Sequence, residues 1–227
     1  MSNTALRNIQ CSLCGARHKK LFNDQSKVDQ ENLNQVKSCN FYKKKQGLFI
    51  EGSYPRGLFC INKGKIKVFQ RGEMGKEQII HIAGEGDVVG YKSLLSGDAY
   101  SVSAEALEDS IVCFIAKEDF LDMLSQNEIL QQGVMKLMSK ELSKRTKFIT
   151  NMAQKSLRER LAFCLLLLDD IYEQEAINIS REDLANFVGT ATESLIRLIS
   201  EFKSDGLIEV NKRKINLVDR EELHRMA

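Results

Sequence analysis

The sequence predicts an α+β chain in three consecutive parts: a β-barrel, one long helix, and a small helical domain closed by a β-hairpin. Three observations predict it. Residues 40–115 are a series of short apolar stretches broken by glycine. Residues 119–152 are almost free of glycine and rich in Leu, Met, Glu, Lys and Gln, which favour helix. Residues 180–218 carry two short helical patterns and then two β-rich runs separated by a basic turn.

The barrel strands are read from Leu48–Ile50, Leu58–Ile61, Ile66–Phe69, Ile79–Ile82, Val88–Val89 and Ile111–Ile115. Glycines such as Gly52, Gly64, Gly75, Gly86 and Gly97 punctuate them. Many short strands at near-regular spacing with glycine turns indicate a sandwich or jelly roll.

In the long helix, Leu130, Val134, Leu137, Glu141, Arg145, Phe148 and Met152 recur at steps of three or four and trace one stripe. A helix of about eight turns is too long to be covered by a small core, so this stripe is assigned to the seam of a homodimer, with Glu141 and Arg145 placed to pair between subunits, the alternative being a surface helix packed on the chain's own core. The boundaries that follow are 1–20 for a polar, Cys-containing segment, 21–124 for the barrel, 125–153 for the dimer helix and 154–227 for the C-terminal domain.

That last domain holds the most specific local signal. Ser180 followed by Asp183 marks a capped helix start. Leu184, Ala185 and Val188 lie on one face, and Gly189 then supplies a tight turn. Thr192 opens a second helix whose Leu195, Leu198, Ile199 and Phe202 face inward. Alanine permits close approach of two crossing helices and glycine makes the turn, which is the helix-turn-helix requirement. The hairpin that follows carries Lys212, Arg213 and Lys214, a basic wing suited to phosphate. On the outer face Glu193 can accept from cytosine N4, and Arg197 can grip guanine O6 and N7. Thr192, Ser194 and Ile196 lie beside them, Ile196 suited to a thymine methyl.

The 227-residue chain carries a net charge of only +2, so a DNA partner requires the basic residues to be concentrated locally. The longest apolar run, Leu161–Leu168, is far short of the roughly 20 residues of a membrane span. No signal peptide is visible, and six cysteines in such a chain read as thiols or metal ligands. The expected location is the cytoplasm, without membrane attachment.

Nearly the whole chain resembles the CRP/FNR superfamily of bacterial transcription regulators, the FNR branch more than the cyclic-AMP branch. The resemblance rests on Gly47-Leu-Phe-Ile-Glu-Gly52, Phe59-Cys-Ile-Asn-Lys-Gly64-Lys-Ile-Lys-Val68, Gly86-Asp-Val-Val-Gly90 and Gly189-Thr-Ala-Thr-Glu-Ser-Leu-Ile-Arg197. It implies a cyclic-nucleotide-binding-like jelly roll, a dimerisation helix and a winged helix-turn-helix. Its implied partners are double-stranded DNA with a near-palindromic operator, a second copy of the chain, and RNA polymerase. It also implies base contacts by the residues at Glu193 and Arg197. The FNR branch usually has Ser where Ile196 stands, which points to a different half-site. Cyclic-AMP binders carry a Glu shortly after the glycine matched by Gly90 and an Arg some ten residues on. Here those stretches read Gly90-Tyr-Lys-Ser-Leu-Leu and Gly97-Asp-Ala-Tyr-Ser-Val-Ser, so cyclic AMP is not the expected effector.

The same resemblance implies an iron–sulfur cluster held by N-terminal cysteines and one barrel cysteine. Cys11 and Cys14 form a C-x₂-C pair, and Cys113 matches the barrel ligand. The remaining ligand falls near Lys20, which cannot serve. His18 is the substitute, while Cys39 and Cys60 are within reach without being demanded by spacing. Two other readings stand beside it: a zinc or thiol redox site, and no metal at all, with Cys113 a small buried hydrophobe between Ile111 and Ile115. Catalysis is not expected, because the barrel offers only His81 and no paired carboxylates, Walker loop or Ser/His/Asp set. The alternative function is a ligand-sensing barrel module that does not bind DNA, and the helix-turn-helix argues against it.

Overall fold

The computed structural model describes residues 9–11, 14, 21–22, 26–73 and 75–227. His18 lies outside them. The first described helix, α1 (Lys27–Val36), runs into β1 (Lys37–Tyr42). Then come β2 (Gly47–Phe49), β3 (Gly57–Lys63), β4 (Ile66–Arg71), β5 (Glu77–Ala83) and β6 (Val88–Val89). A short helix α2 (Tyr91–Ser96) precedes β7 (Ser103–Ala106) and β8 (Ser110–Ala116). The eight strands form two four-stranded sheets, ordered β1-β8-β3-β6 and β2-β7-β4-β5, which is the jelly-roll arrangement the glycine-punctuated strands implied.

Gly64 shows why glycine is needed between β3 and β4. Its φ is +97°, and a Cβ there would lie 2.3 Å from Ser110 Oγ. Both the left-handed backbone and the close approach exclude a side chain.

Two helices follow, α3 (Lys117–Gln126) and α4 (Glu128–Gln154). The chain is extended at Asn127, whose Oδ1 accepts from the Leu130 amide at 2.9 Å. This cap starts the long helix at Glu128 instead of residue 125. The C-terminal elements are α5 (Leu157–Ile171), β9 (Ile177–Asn178), α6 (Arg181–Val188), α7 (Thr192–Ser204), β10 (Ile208–Asn211), β11 (Lys214–Leu217) and α8 (Arg220–Met226). Helix α5 opens on a capping box between Ser156 and Glu159.

The chain divides into two compact units, one of residues up to 70 with 82–142, the other of 71–81 with 143–227. The core of the first gathers Leu58, Val88, Tyr91, Ile115 and Phe120, and it takes in Leu130 and Val134 from α4. In the second, Leu161, Leu165 and Leu168 of α5 are fully buried, as are Leu195 and Phe202 of α7. Burying each such side chain contributes about 1.5–3 kcal/mol. A bidentate pair ties α8 to α5, with Arg220 Nε 2.8 Å from Asp169 Oδ2 and Nη2 3.0 Å from Oδ1. Among the described residues no helix is long and apolar enough to cross a membrane.

The long helix differs from the sequence expectation in which face is free. Leu130 and Val134 are 0% and 4% exposed against their own unit, and Leu137 packs against the same core. Glu141 pairs with Lys92, and Arg145 donates to the Ile80 carbonyl. The Phe148 ring lies 5.6 Å from that of Phe187 and 6.2 Å from that of Phe163. Met152 is half-buried. The expected seam therefore faces inward over most of its length. The solvent face presents Met135, Met138, Leu142 and Ile149 instead, between 43% and 69% exposed.

Candidate functional site

In the second unit, Ser180 Oγ accepts from the Asp183 amide at 3.0 Å and starts α6 as the sequence indicated. Gly189 ends α6 at φ +76°, with its N–H donating to the Ala185 carbonyl at 2.9 Å. This is a left-handed C-cap, the conformation glycine adopts at least cost. A Cβ at Gly189 would lie 3.3 Å from Gln78 Oε1. Gln78 Nε2 in turn donates to the Asn186 carbonyl at 2.8 Å, satisfying the end of α6. Gly189→Ala is expected to lower stability by about 1–2 kcal/mol through the left-handed backbone alone. A chemical-denaturation curve checks this, and an unchanged midpoint would contradict it.

Helix α7 buries Leu195, Ile199 and Phe202 on one side. That burial forces the other side outward, so Glu193, Ile196 and Arg197 are exposed while Thr192 and Ser194 are half-buried. Glu193 favours the positive end of the helix dipole. Among the described residues neither Glu193 nor Arg197 is held in an ion pair, so the outer face is free to meet a partner. Next to it, β10 and β11 pair from Ile208↔Leu217 to Asn211↔Lys214. This leaves Lys212 and Arg213 as a two-residue loop with Lys212 at φ +55°. Lys212, Arg213 and Lys214 are all exposed. The unit thus presents a helix with an acceptor and a forked donor one turn apart, flanked by a cationic loop.

The second candidate site is in the first unit. Cys11, Cys14, Cys60 and Cys113 line one cavity whose other walls include Phe22, Leu33 and Ile115. Lys37 Nζ approaches Cys11 Sγ at 2.8 Å, and Asn62 Nδ2 approaches Cys14 Sγ at 3.0 Å. Asn34 Oδ1 accepts from both the Cys11 amide and Lys37 Nζ, fixing that corner. Burial pushes the Cys60 thiol well up, the neighbouring Cys11 and Cys14 push it further, and Lys37 acts the other way. Cys113 is not a free thiol: it forms a disulfide with Cys39, its register partner on β1. This corrects the reading of all six cysteines as thiols or ligands. Cys39 sits 74 residues away in sequence, and the β1–β8 register alone brings the pair together.

Of the residues expected to hold a cluster, Cys11, Cys14 and Cys113 meet at this cavity. Among the described residues no three donors converge as they would around one metal ion. The donor chemistry nevertheless suits an iron–sulfur group, because it consists of several cysteine sulfurs, amide and ammonium donors to sulfur, and apolar walls. Lys37 and Asn62 escaped the sequence reading, and Cys60 was within reach without being demanded by spacing, since only strand register and the α1–β1 junction place them here.

The positions where cyclic-AMP binders carry their Glu and Arg are also accounted for. Gly90 caps α2 at φ +87° and is followed by the buried Tyr91, while Lys92 pairs with Glu141. Tyr100 is buried, its ring stacked on Phe49 at 4.0 Å. Neither stretch contains a Glu or an Arg.

Fold and surface together define a transcription regulator with a winged helix-turn-helix. Two family models match the chain: a cyclic nucleotide-binding domain over residues 39–127 and a Crp-like helix-turn-helix domain over 159–226. The chain is 32% identical over 191 residues to the fumarate and nitrate reduction regulatory protein of Vibrio cholerae, covering 81% of this chain and 76% of that one. With the electron transport regulator A of Shewanella oneidensis it shares 31% identity over the same proportions. Among solved structures it is similar to FixK2 from Bradyrhizobium japonicum, with a TM-score of 0.77 and 22% identity over 84% of this chain and 97% of that chain. The chain belongs to the CRP/FNR family.

Proposed function

We propose that the protein binds a near-palindromic DNA operator as a homodimer, in the cytoplasm, and that a redox signal at the barrel cysteines controls its affinity. The observation that carries the DNA reading is the exposed Glu193 and Arg197 on a helix whose opposite face is fully committed to the core. In the major groove these two side chains read one G·C pair per half-site, while Thr192, Ser194 and Ile196 tune the neighbouring positions. Lys212, Arg213 and Lys214 contact phosphate and fix register without reading sequence. RNA polymerase is the further partner the family implies, and no chemistry is assigned to the chain.

The second copy is proposed to seat on Met135, Met138, Leu142 and Ile149. These residues recur at steps of three, four and seven, the spacing of a two-helix seam. A two-fold axis along this stripe makes it self-complementary.

For the effector, the related regulators named for fumarate and nitrate reduction and for electron transport favour an iron–sulfur centre at the cysteine cavity. When bound, such a centre supplies sensitivity to oxygen and electrons. Cys11 and Cys14 hold it, with Cys113 from the barrel once that sulfur is free of Cys39. Lys37 and Asn62 donate to the sulfurs and stabilise their negative charge, and the apolar walls limit water. His18 remains a proposed ligand from the sequence.

The test is the salt dependence of operator binding. Lys212→Ala and Lys214→Ala should each flatten the log–log slope by about one unit and weaken all duplexes alike. A slope unchanged by both substitutions would remove the wing lysines from the phosphate contacts, and no salt-sensitive binding by the wild type would favour a barrel module without DNA contact.

A further inference from the structure

We propose that Cys60 is a metal ligand, completing a four-thiolate set with Cys11, Cys14 and Cys113 that becomes available when the Cys39–Cys113 disulfide is reduced. The proposal rests on the reading that this cavity holds an iron–sulfur centre, and for the ligand that spacing put near Lys20 it takes Cys60 in place of His18, both of which the sequence had offered.

Two observations place Cys60 in the set. It lines the same cavity as the other three cysteines. On the sheet, β8 lies between β1 and β3, and Cys113 is opposite Cys39 on one side and opposite Cys60 on the other. Register partners in antiparallel strands project to the same face, so three sulfurs form one row across three strands. Cys113, in the middle, has one sulfur to give: to Cys39 in the disulfide, or to a metal shared with Cys60.

Exposure sets how the row is switched. Cys39 is half-exposed on the edge strand β1, whereas Cys113 is only 7% exposed. A dithiol reductant therefore reaches the Cys39 sulfur. Its thiolate attacks Cys39 Sγ, the S–S bond breaks, and Cys113 leaves as a thiolate on the cavity side. The second thiol of the reductant then closes the reductant's own disulfide and releases Cys39. Two electrons and two protons pass from the dithiol to Cys39 and Cys113, and metal binding later displaces the proton from Cys113.

The experiment uses the full chain as wild type, Cys60→Ala, Cys60→His and Cys39→Ser. Each is incubated anaerobically with ferrous iron and sulfide, with and without prior treatment with dithiothreitol. Iron and acid-labile sulfide per chain and the visible spectrum are read, and circular dichroism confirms folding. Reduced wild type should load, and Cys60→Ala should lose iron affinity by at least about tenfold. Cys60→His should regain iron with displaced visible bands, which a packing role for Cys60 would not produce. Cys39→Ser should load without dithiothreitol, whereas wild type should need it. Loading of Cys60→Ala equal to wild type, or a Cys60→His spectrum identical to wild type, overturns Cys60 as a ligand and leaves the cluster reading intact. A reduced wild type that takes up no iron overturns both.

Discussion

Met138→Asp combined with Leu142→Asp is expected to convert the protein to monomers and to weaken operator binding about a hundredfold or more. Two carboxylates placed opposite their own symmetry mates repel one another and must also be desolvated if the seam is to close. Each monomer would then hold a single half-site, losing the gain of joining two sites in one molecule, which is about 10²–10⁴. Met138 and Leu142 are 43% and 69% exposed, so neither substitution disturbs the protomer's core. Leu137 and Phe148 make poorer probes, because one packs on the first unit's core and the other on Phe163 and Phe187. Their loss would unfold the protomer as readily as it separated the dimer. Sedimentation velocity distinguishes the cases: a dimer that survives both substitutions would rule out this face.

Arg197→Ala carries the second large effect. A bidentate Arg–guanine contact discriminates by about 1–3 kcal/mol, and the proposed dimer would make two of them. Over a palindrome the loss should reach roughly 30-fold to 10⁴-fold. The affinity for unrelated duplexes should change far less, because the wing lysines proposed to contact phosphate are untouched. Binding titrations on operator and scrambled DNA separate the two. Equal loss on both would make Arg197 a phosphate contact.

Much of the DNA-binding surface was legible in the sequence because its constraints are local. The Ala185 and Gly189 spacing, the Ser180 cap and the Leu195–Phe202 periodicity all act within about 25 residues. Together they fix which side of α7 is outward. The barrel was legible for the same reason, since glycine turns and short apolar runs are near-neighbour signals. The free face of α4 was not. Leu130-Val134-Leu137 and Met135-Met138-Leu142 both satisfy steps of three and four, and only the surrounding core decides which stripe is covered. Glu141 and Arg145 looked available for a partner subunit until the fold supplied Lys92 and the Ile80 carbonyl.

The cysteines show the same division. The Cys11–Cys14 spacing is visible along the chain, but Cys39, Cys60 and Cys113 are joined only through strand register. A one-residue slip of β1 against β8 would turn Cys39 to the opposite face and abolish the disulfide. Spacing along the chain therefore indicated a thiol-rich segment without revealing the three-sulfur row. The donors to sulfur, Lys37 and Asn62, belong to strands whose sequence gives no hint of a cysteine neighbour.

Selection of binding sites from random double-stranded DNA, run in parallel with wild type and Arg197→Ala, tests most directly whether this chain reads DNA as a two-fold dimer through α7. Wild type should enrich a near-palindrome with half-site centres about 34 Å apart, one helical turn, and a fixed G·C pair in each half. Arg197→Ala should keep the spacing and lose preference at that pair. Enrichment of a single asymmetric site, or a motif unchanged by Arg197→Ala, would contradict it.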